Sequence, residues 1–187
     1  MISLATASKP GWFPRLPDKA FNSWALQQLH LQPYQHLLEI GYKAGHLTEE
    51  VARALRIGFI AGIEPSITLY QQAYRRNKRF VRQQLLQLHI GESYELPYPS
   101  HYFHTIYGTN LHLSCKDTSL ELLRLSSLLK IKGRLVLLLG TGRGQADQRE
   151  TASRLLEDYH HAGLINIRIE HQPDYAGNSL AIIGFKG

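Results

Sequence analysis

Cysteine is almost missing from this sequence of 187 residues, and Cys115 is its single instance. One thiol cannot form an internal disulfide, so a packed core has to stabilise the fold without covalent cross-links. Apolar residues make up 43% of the sequence and charged residues 19%, which is ordinary for a globular protein and argues against a disordered chain. At this length we expect a single domain.

Long apolar runs are also missing. No stretch of about 18 consecutive apolar residues occurs, and the segment from Met1 to Leu16 lacks the apolar region of a secretion signal. We therefore expect a cytoplasmic protein that neither spans a membrane nor carries a signal peptide. Residues 1–18 are rich in Pro, Gly and Ser and predict an irregular segment, so the ordered domain is expected over residues 19–187.

Metal-binding spacings are absent although the sequence contains ten histidines. There is no Cys/His pairing with zinc spacing and no His-Glu-x-x-His run. We therefore predict no metal site.

Acidic residues are outnumbered, and the formal net charge is +6. Much of the excess lies in the run Arg75-Arg76-Asn77-Lys78-Arg79, with Arg82 beyond it. The run falls at the end of a predicted helix, where cations complement the helix dipole, and this favours an ordinary solvated helix end. Contact with nucleic acid is a less favoured alternative, because no base-reading motif or aromatic stacking platform accompanies the run in the sequence.

Segments of strand and helix pattern alternate along most of the chain. Amphipathic segments follow Gly45 and Pro65-Ser66, and a leucine-rich one spans residues 117–129. The short apolar runs that separate them have strand length and cover residues 36–40, 58–64, 84–90, 103–108 and 134–139. This alternation predicts an α/β domain whose parallel sheet is covered by helices on both faces.

The C-terminal end has a different pattern. A predicted helix over residues 148–161 ends before Gly163, and Ile165, Ile167 and Ile169 then alternate with polar residues. A connection rich in Pro, Gly and Asn leads to a final apolar run over residues 180–185. Because such a short connection suits a hairpin, we predict that the mostly parallel sheet ends in an antiparallel pair.

Candidate ligand-binding residues follow the first three predicted strands. Gly41 and Gly45 provide the turn into the first helix with positive φ and with room for close approach of a ligand, and the helix N-terminus offers unpaired N–H groups. Glu64, at the end of the second strand, can accept hydrogen bonds from ribose hydroxyls, and Glu92, after the third, could accept one from an adenine amino group. Open α/β sheets bind ligands at these carboxyl ends of strands.

These motifs resemble those of the class I S-adenosylmethionine-dependent methyltransferases. Residues 37–45, with the sequence Leu-Leu-Glu-Ile-Gly-Tyr-Lys-Ala-Gly, look like the first motif of that family, and Glu64 is similar to its ribose-binding acid. Residues 91–98 resemble its Gly-Asp-Ala-x-x-Leu-Pro-Phe segment, and residues 128–135 its Val-Leu-Lys-Pro-Gly-Gly-Arg-Leu run. Residues 22–25, 58–64 and 72–77 look most like small bacterial methyltransferases related to the ubiquinone and menaquinone biosynthesis group.

The resemblance implies a Rossmann-like three-layer sandwich, S-adenosyl-L-methionine as cofactor, and methyl transfer to a small-molecule acceptor. It also implies a set of cofactor-binding residues, although Tyr42 is of a type that more often packs in the core. The set is Glu39, Gly41, Tyr42, Gly45, Glu64, Pro65, Glu92, Ser93 and Thr109. A general base is needed only for acceptors that must lose a proton, and the candidates for acceptor contact after the fourth strand are Tyr107, Asn110 and His112.

Two residues depart from the family pattern. Lys43 stands where the middle glycine is expected, and a side chain there can block close approach of the cofactor or strain the turn if φ is positive. His104 replaces a usual aspartate at a position that supports a loop. Lys43 leaves open a second hypothesis, a non-catalytic binding or regulatory domain with a degenerate cofactor site. A nicotinamide dehydrogenase is a weaker alternative, because the Gly-x-Gly-x-x-Gly spacing is absent.

Overall fold

The computed structural model describes residues 19–109, 118–140, 145–172 and 179–187, with the backbone alone for residues 145–149. The predicted irregular segment 1–18 lies outside these residues. The described chain contains helices α1 to α5, which are Lys19–Leu29, His46–Ala54, Ile67–Arg82, Thr118–Leu128 and Gln145–His161. Its strands β1 to β7 are His36–Ile40, Phe59–Glu64, Leu86–Ile90, Phe103–Thr109, Leu129–Leu139, Leu164–His171 and Leu180–Lys186. A 3₁₀ turn, Ser93–Glu95, lies between β3 and β4.

The seven strands described form one sheet in the order β3-β2-β1-β4-β5-β7-β6. β1 pairs in parallel with β2 and β4, and the outer pairs β2–β3 and β4–β5 are also parallel. β7 is antiparallel to both β5 and β6. The predicted mostly parallel sheet that ends in an antiparallel hairpin is therefore confirmed. The strand order reverses between β1 and β4, and α/β sheets bind ligands at such switch points.

Helices cover both faces of the sheet. Successive side chains of a strand point to opposite faces, so neighbouring apolar residues contribute to two different cores. Leu37 belongs to the core that α1, α2 and α3 cover. Its neighbour Leu38 belongs to the opposite core, which α4 and α5 cover. Both leucines are fully buried. The structure is thus the predicted three-layer sandwich.

Two strand boundaries differ from the prediction for a backbone reason. β5 begins at Leu129 rather than at residue 134, because Lys132-Gly133 forms a left-handed irregularity within the strand and not a turn before it, with φ +63° at Lys132. The register of β4 against β5 shifts at the same place. β3 begins at Leu86 rather than at residue 84, since Gln84 has φ +58°, which extended backbone does not adopt.

None of the helices in the described part of the chain is long and apolar enough to cross a bilayer.

Candidate active site

The turn between β1 and α2 contains three left-handed residues at alternate positions. Gly41, Lys43 and Gly45 have φ values of +65°, +52° and +72°. The Gly41 N–H donates to the carbonyl of Ile63 at 2.8 Å, and the Gly45 N–H donates to the carbonyl of Tyr42 at the same distance. The first bond ties the turn to the end of β2, and the second closes it immediately before helix α2.

Gly45 is required by space as well as by conformation. A Cβ at this position would lie 2.6 Å from Asn77 Nδ2 and 2.9 Å from Ala73 Cβ. Asn77 is buried and donates to the carbonyls of Gly45 and Ala73, each at 3.0 Å. Arg76 Nε adds a bond to the carbonyl of Ala44 at 3.1 Å. Helix α3 therefore holds the turn in place from outside.

The carboxylate of Glu64 lies at the end of β2 and faces the turn. Its Oε2 accepts a hydrogen bond from the Lys43 N–H at 3.1 Å, and its Oε1 accepts one from the Ser66 N–H at 3.2 Å. Because each carboxylate oxygen has two acceptor positions, both oxygens can accept a further hydroxyl donor. Pro65 follows it on the exposed surface. This arrangement fits the predicted ribose-binding role, which stays a prediction.

Glu39 lies behind the turn, where it is only 2% exposed. Burial raises the pKa of its carboxyl to about 7, against the opposing influence of the Thr48 and Tyr107 hydroxyls and of the Lys43 charge. Tyr107 Oη donates to Glu39 Oε2 at 3.0 Å, whereas Thr48 approaches without reaching hydrogen-bond geometry. Glu39 thus connects β1 to β4 from within the core, directly before the turn.

Two tyrosines among the predicted site residues are buried. Tyr107 was predicted to follow the fourth strand, but it lies within β4. Because its buried hydroxyl donates to Glu39, the side chain does not face an acceptor. Tyr42 packs against Gly62, where a Cβ would lie 2.7 Å from its ring, and its hydroxyl donates to the carbonyl of His89 at 3.0 Å. The side chain of Tyr42 therefore has the packing role that its residue type favours.

The segment after β3 is a tight turn. Glu92 caps the 3₁₀ turn, and the Glu92 N–H donates to Glu95 Oε2 at 2.8 Å. The buried Ser93 donates from Oγ to Glu121 Oε1 of helix α4 at 2.5 Å, so its hydroxyl faces α4. Thr109 is half-buried at the last position of β4. The remaining candidates Asn110 and His112 lie outside the described residues.

Sequence reasoning missed several residues of this region. The sequence presents Asn77 only as part of the basic run, yet in the fold its side chain holds the turn. Ile67 and Ile90 are 61% and 48% exposed, at the start of α3 and the end of β3. Their position next to the two acids Glu64 and Glu92 was a usable signal, because apolar side chains line ligand sites.

The two departures from the family pattern have different consequences. Lys43 has the positive φ that was expected to strain the turn, but its side chain is exposed to solvent. Partial desolvation lowers the pKa of Lys43, and the charges of Glu64 and Glu39 oppose that effect. His104 Nδ1 accepts from the His36 N–H at 2.9 Å, as an aspartate oxygen could, so this residue supports the start of β1.

Known proteins share this architecture. No protein-family model matches the sequence. The YrhH protein of Bacillus subtilis, which is named as a methyltransferase, is 25% identical over 150 residues, 80% of this chain and 81% of its own length. A solved S-adenosylmethionine-dependent methyltransferase from Aquifex aeolicus superposes with a TM-score of 0.74 at 12% identity, over 89% of each chain. This chain has the class I methyltransferase fold.

A second solved structure extends this likeness to an enzyme with a named acceptor. Geranyl diphosphate C-methyltransferase from Streptomyces coelicolor, solved with S-adenosyl-L-homocysteine, superposes with a TM-score of 0.72 at 13% identity and covers 90% of this chain and 80% of its own. The prediction of a class I methyltransferase fold is confirmed. These similarities do not single out the ubiquinone and menaquinone group.

The described residues include no cluster of three or more His, Cys, Asp or Glu side chains that could hold a metal ion.

Proposed function

We propose that this protein is an S-adenosylmethionine-dependent methyltransferase that acts on a small-molecule acceptor. The observation that carries the proposal is the joint geometry of the turn 41–45 and Glu64, whose two carboxylate oxygens are oriented by backbone N–H groups at the sheet's switch point. The names of the curated relative and of the solved structures support the same activity.

The residues present fit the cofactor by their chemistry. Glu64 can accept hydrogen bonds from the ribose hydroxyls, and the exposed Ile67 and Ile90 side chains offer an apolar surface to the adenine ring. Gly41 and Gly45 leave the backbone open to close approach. When bound, S-adenosylmethionine supplies an electrophilic methyl group, so the protein's part is to bind and orient the reactants.

A small-molecule acceptor is favoured by the named substrate of the Streptomyces enzyme. Asn110 and His112, the other two predicted acceptor contacts, lie outside the described residues. Tyr107 is assigned no part in acceptor binding, since its hydroxyl is used by Glu39.

Lys43 is the observation that favours a second candidate, a non-catalytic binding domain. A left-handed lysine costs on the order of 1–2 kcal/mol relative to the right-handed conformation. Its side chain is exposed to solvent, and its charge is opposed by the nearby carboxylates of Glu64 and Glu39. With Lys43 in place, the turn still forms its hydrogen bonds from the N–H groups of Gly41 and Gly45.

Calorimetry with S-adenosylmethionine and S-adenosylhomocysteine separates these functions. We expect micromolar to millimolar binding by the wild type and a loss of at least about tenfold for Glu64→Ala, because ribose donors lose a charged acceptor. Binding by Lys43→Gly alone would support the degenerate domain. Lys132→Gly is the matched control, since it also removes an exposed left-handed lysine but lies near the start of β5, at the opposite edge of the sheet from the turn. Absence of binding by all variants would end the enzyme proposal.

A further inference from the structure

We propose that the outer face of helix α3, with the cavity between α3 and β3, binds single-stranded nucleic acid. This inference does not depend on the proposed methyl transfer. It uses none of the residues assigned to the cofactor.

Helix α3 has five cationic and no acidic side chains among its 16 residues. Since the formal charge of the whole chain is +6, this one helix contains most of its imbalance. Three of the cations, Arg75, Lys78 and Arg82, are exposed and have no hydrogen bond or ion pair within the part of the chain that the structure describes. Helical spacing places Lys78 and Arg82 on one face, with Arg75 beside them.

The other two cations of α3 share a single carboxylate. Glu49 Oε1 of α2 lies 2.6 Å from Arg53 and 3.9 Å from Arg79, and its Oε2 lies 3.5 Å from Arg76. Three guanidinium groups around one carboxylate leave an excess of two positive charges. The positive surface thus continues from the free cations of α3 across to α2.

A cavity of about 380 Å³ adjoins this surface at the edge of the sheet. Its lining includes Tyr70 and Tyr74, whose ring centroids are 6.0 Å apart, and the amide side chains of Gln84 and Gln87. Tyr74 is 36% exposed and lies one helical turn before Lys78. The structure therefore supplies the aromatic surface that the sequence alone did not reveal.

Phosphates and bases together match this chemistry better than other anions do. Arginine forks pair with phosphate oxygens, and the free cations lie on the same helix as the two tyrosines that line the cavity. Aromatic rings and amides inside it can stack on a base and bond to its edge, which is the arrangement of proteins that bind single strands. An acidic membrane surface would use the charge but leave the cavity without a role.

The test is fluorescence anisotropy of the full chain with labelled oligouridylate and oligothymidylate of about 12 nucleotides, at about 50 and 200 mM salt. The test variant is Arg75→Ala/Lys78→Ala/Arg82→Ala. The control Lys19→Ala/Lys132→Ala/Arg154→Ala removes the same charge from exposed residues elsewhere. Thermal unfolding of each variant verifies that it is folded.

We expect the α3 variant to bind at least about tenfold more weakly and to lower the salt slope by about 2, because each phosphate contact contributes about 0.7 for single strands. Tyr74→Ala should weaken binding about tenfold without changing that slope, since stacking is not ionic. A preference between the two oligonucleotides would identify RNA or DNA as the ligand.

Three results would overturn the proposal. They are no binding by the wild type at low salt, an equal loss in the α3 and control variants, and retention on phosphatidylserine vesicles with no binding of either oligonucleotide.

Discussion

Lys43 adopts a left-handed backbone between two left-handed glycines, and its ammonium group lies within electrostatic range of Glu39 and Glu64. The salt bridges of the described residues do not include it. An unpaired cation at this turn affects ligands according to their charge. On the proposed function, the sulfonium of S-adenosylmethionine is repelled, whereas the neutral thioether of S-adenosylhomocysteine is not.

Lys43→Gln is therefore expected to tighten S-adenosylmethionine relative to S-adenosylhomocysteine by about two- to fivefold, the effect of about 0.5–1 kcal/mol between charges in a solvated cleft. Calorimetry of both ligands measures the ratio. Lys43→Arg keeps the charge and should leave the ratio unchanged. If Lys43→Gln alters both affinities equally, the lysine acts through steric effects or backbone conformation and not through its charge.

At the scale of elements, the close packing of α3 against the turn 41–45 depends on Gly45. Gly45→Ala adds a Cβ that would lie 2.6 Å from Asn77 Nδ2 and forces alanine into φ +72°. We expect the free energy of unfolding to fall by about 2–4 kcal/mol, from left-handed strain and overpacking together. Urea unfolding measures the change.

Gly163→Ala is the matched control for that substitution. Gly163 has φ +71° at the end of α5, yet nothing lies within 4 Å of its added Cβ. It should lose only the conformational part, about 1–2 kcal/mol. Equal losses of unfolding free energy at both positions would show that the contact of the added Cβ at position 45 with α3 costs nothing.

Elements with strong local signals were predictable from the sequence. The apolar run at β1 was predicted with the bounds that the structure has. The predicted start of β5 was wrong, because Leu129 already pairs with Phe103 of β4 before the irregularity at Lys132-Gly133. Period and turn chemistry describe neighbours in sequence and carry no information about such pairing.

Contacts between distant segments could not be predicted in the same way. Ser93 bonds to Glu121 across 28 residues, and Tyr107 bonds to Glu39 across 68. The glycines and acids of the candidate site could be proposed from the sequence because each lies at or shortly after the carboxyl end of a predicted strand. Their buried partners come from other elements, so only the folded chain reveals them.

For the whole molecule, the buried titratable groups act on stability in opposite directions. Burial is the leading cause that lowers the pKa of four histidines below 6.5, and these are His36, His46, His89 and His104. Where the unfolded chain binds more protons than the folded one, stability falls on acidification. The histidines therefore reduce stability as the pH falls below 6.5.

Glu39 has the opposite sign, because burial raises its pKa from 4.5 to about 7. The folded state then binds the extra proton, so its stabilising contribution is present below pH 4.5 and is lost as the pH rises through 7.

Glu39→Gln replaces the carboxyl with a neutral amide that can still accept from Tyr107. Relative to wild type, this variant should gain on the order of 2–3 kcal/mol between pH 5 and pH 8. Its stability should also fall more steeply on acidification, since only the histidine effect remains. Urea unfolding at both pH values measures the difference, with Glu95→Gln as an exposed control. A difference between Glu39→Gln and wild type that is the same at pH 5 and pH 8 would mean that Glu39 titrates alike in the folded and unfolded chains, and the buried carboxyl would then impose no pH dependence on the fold.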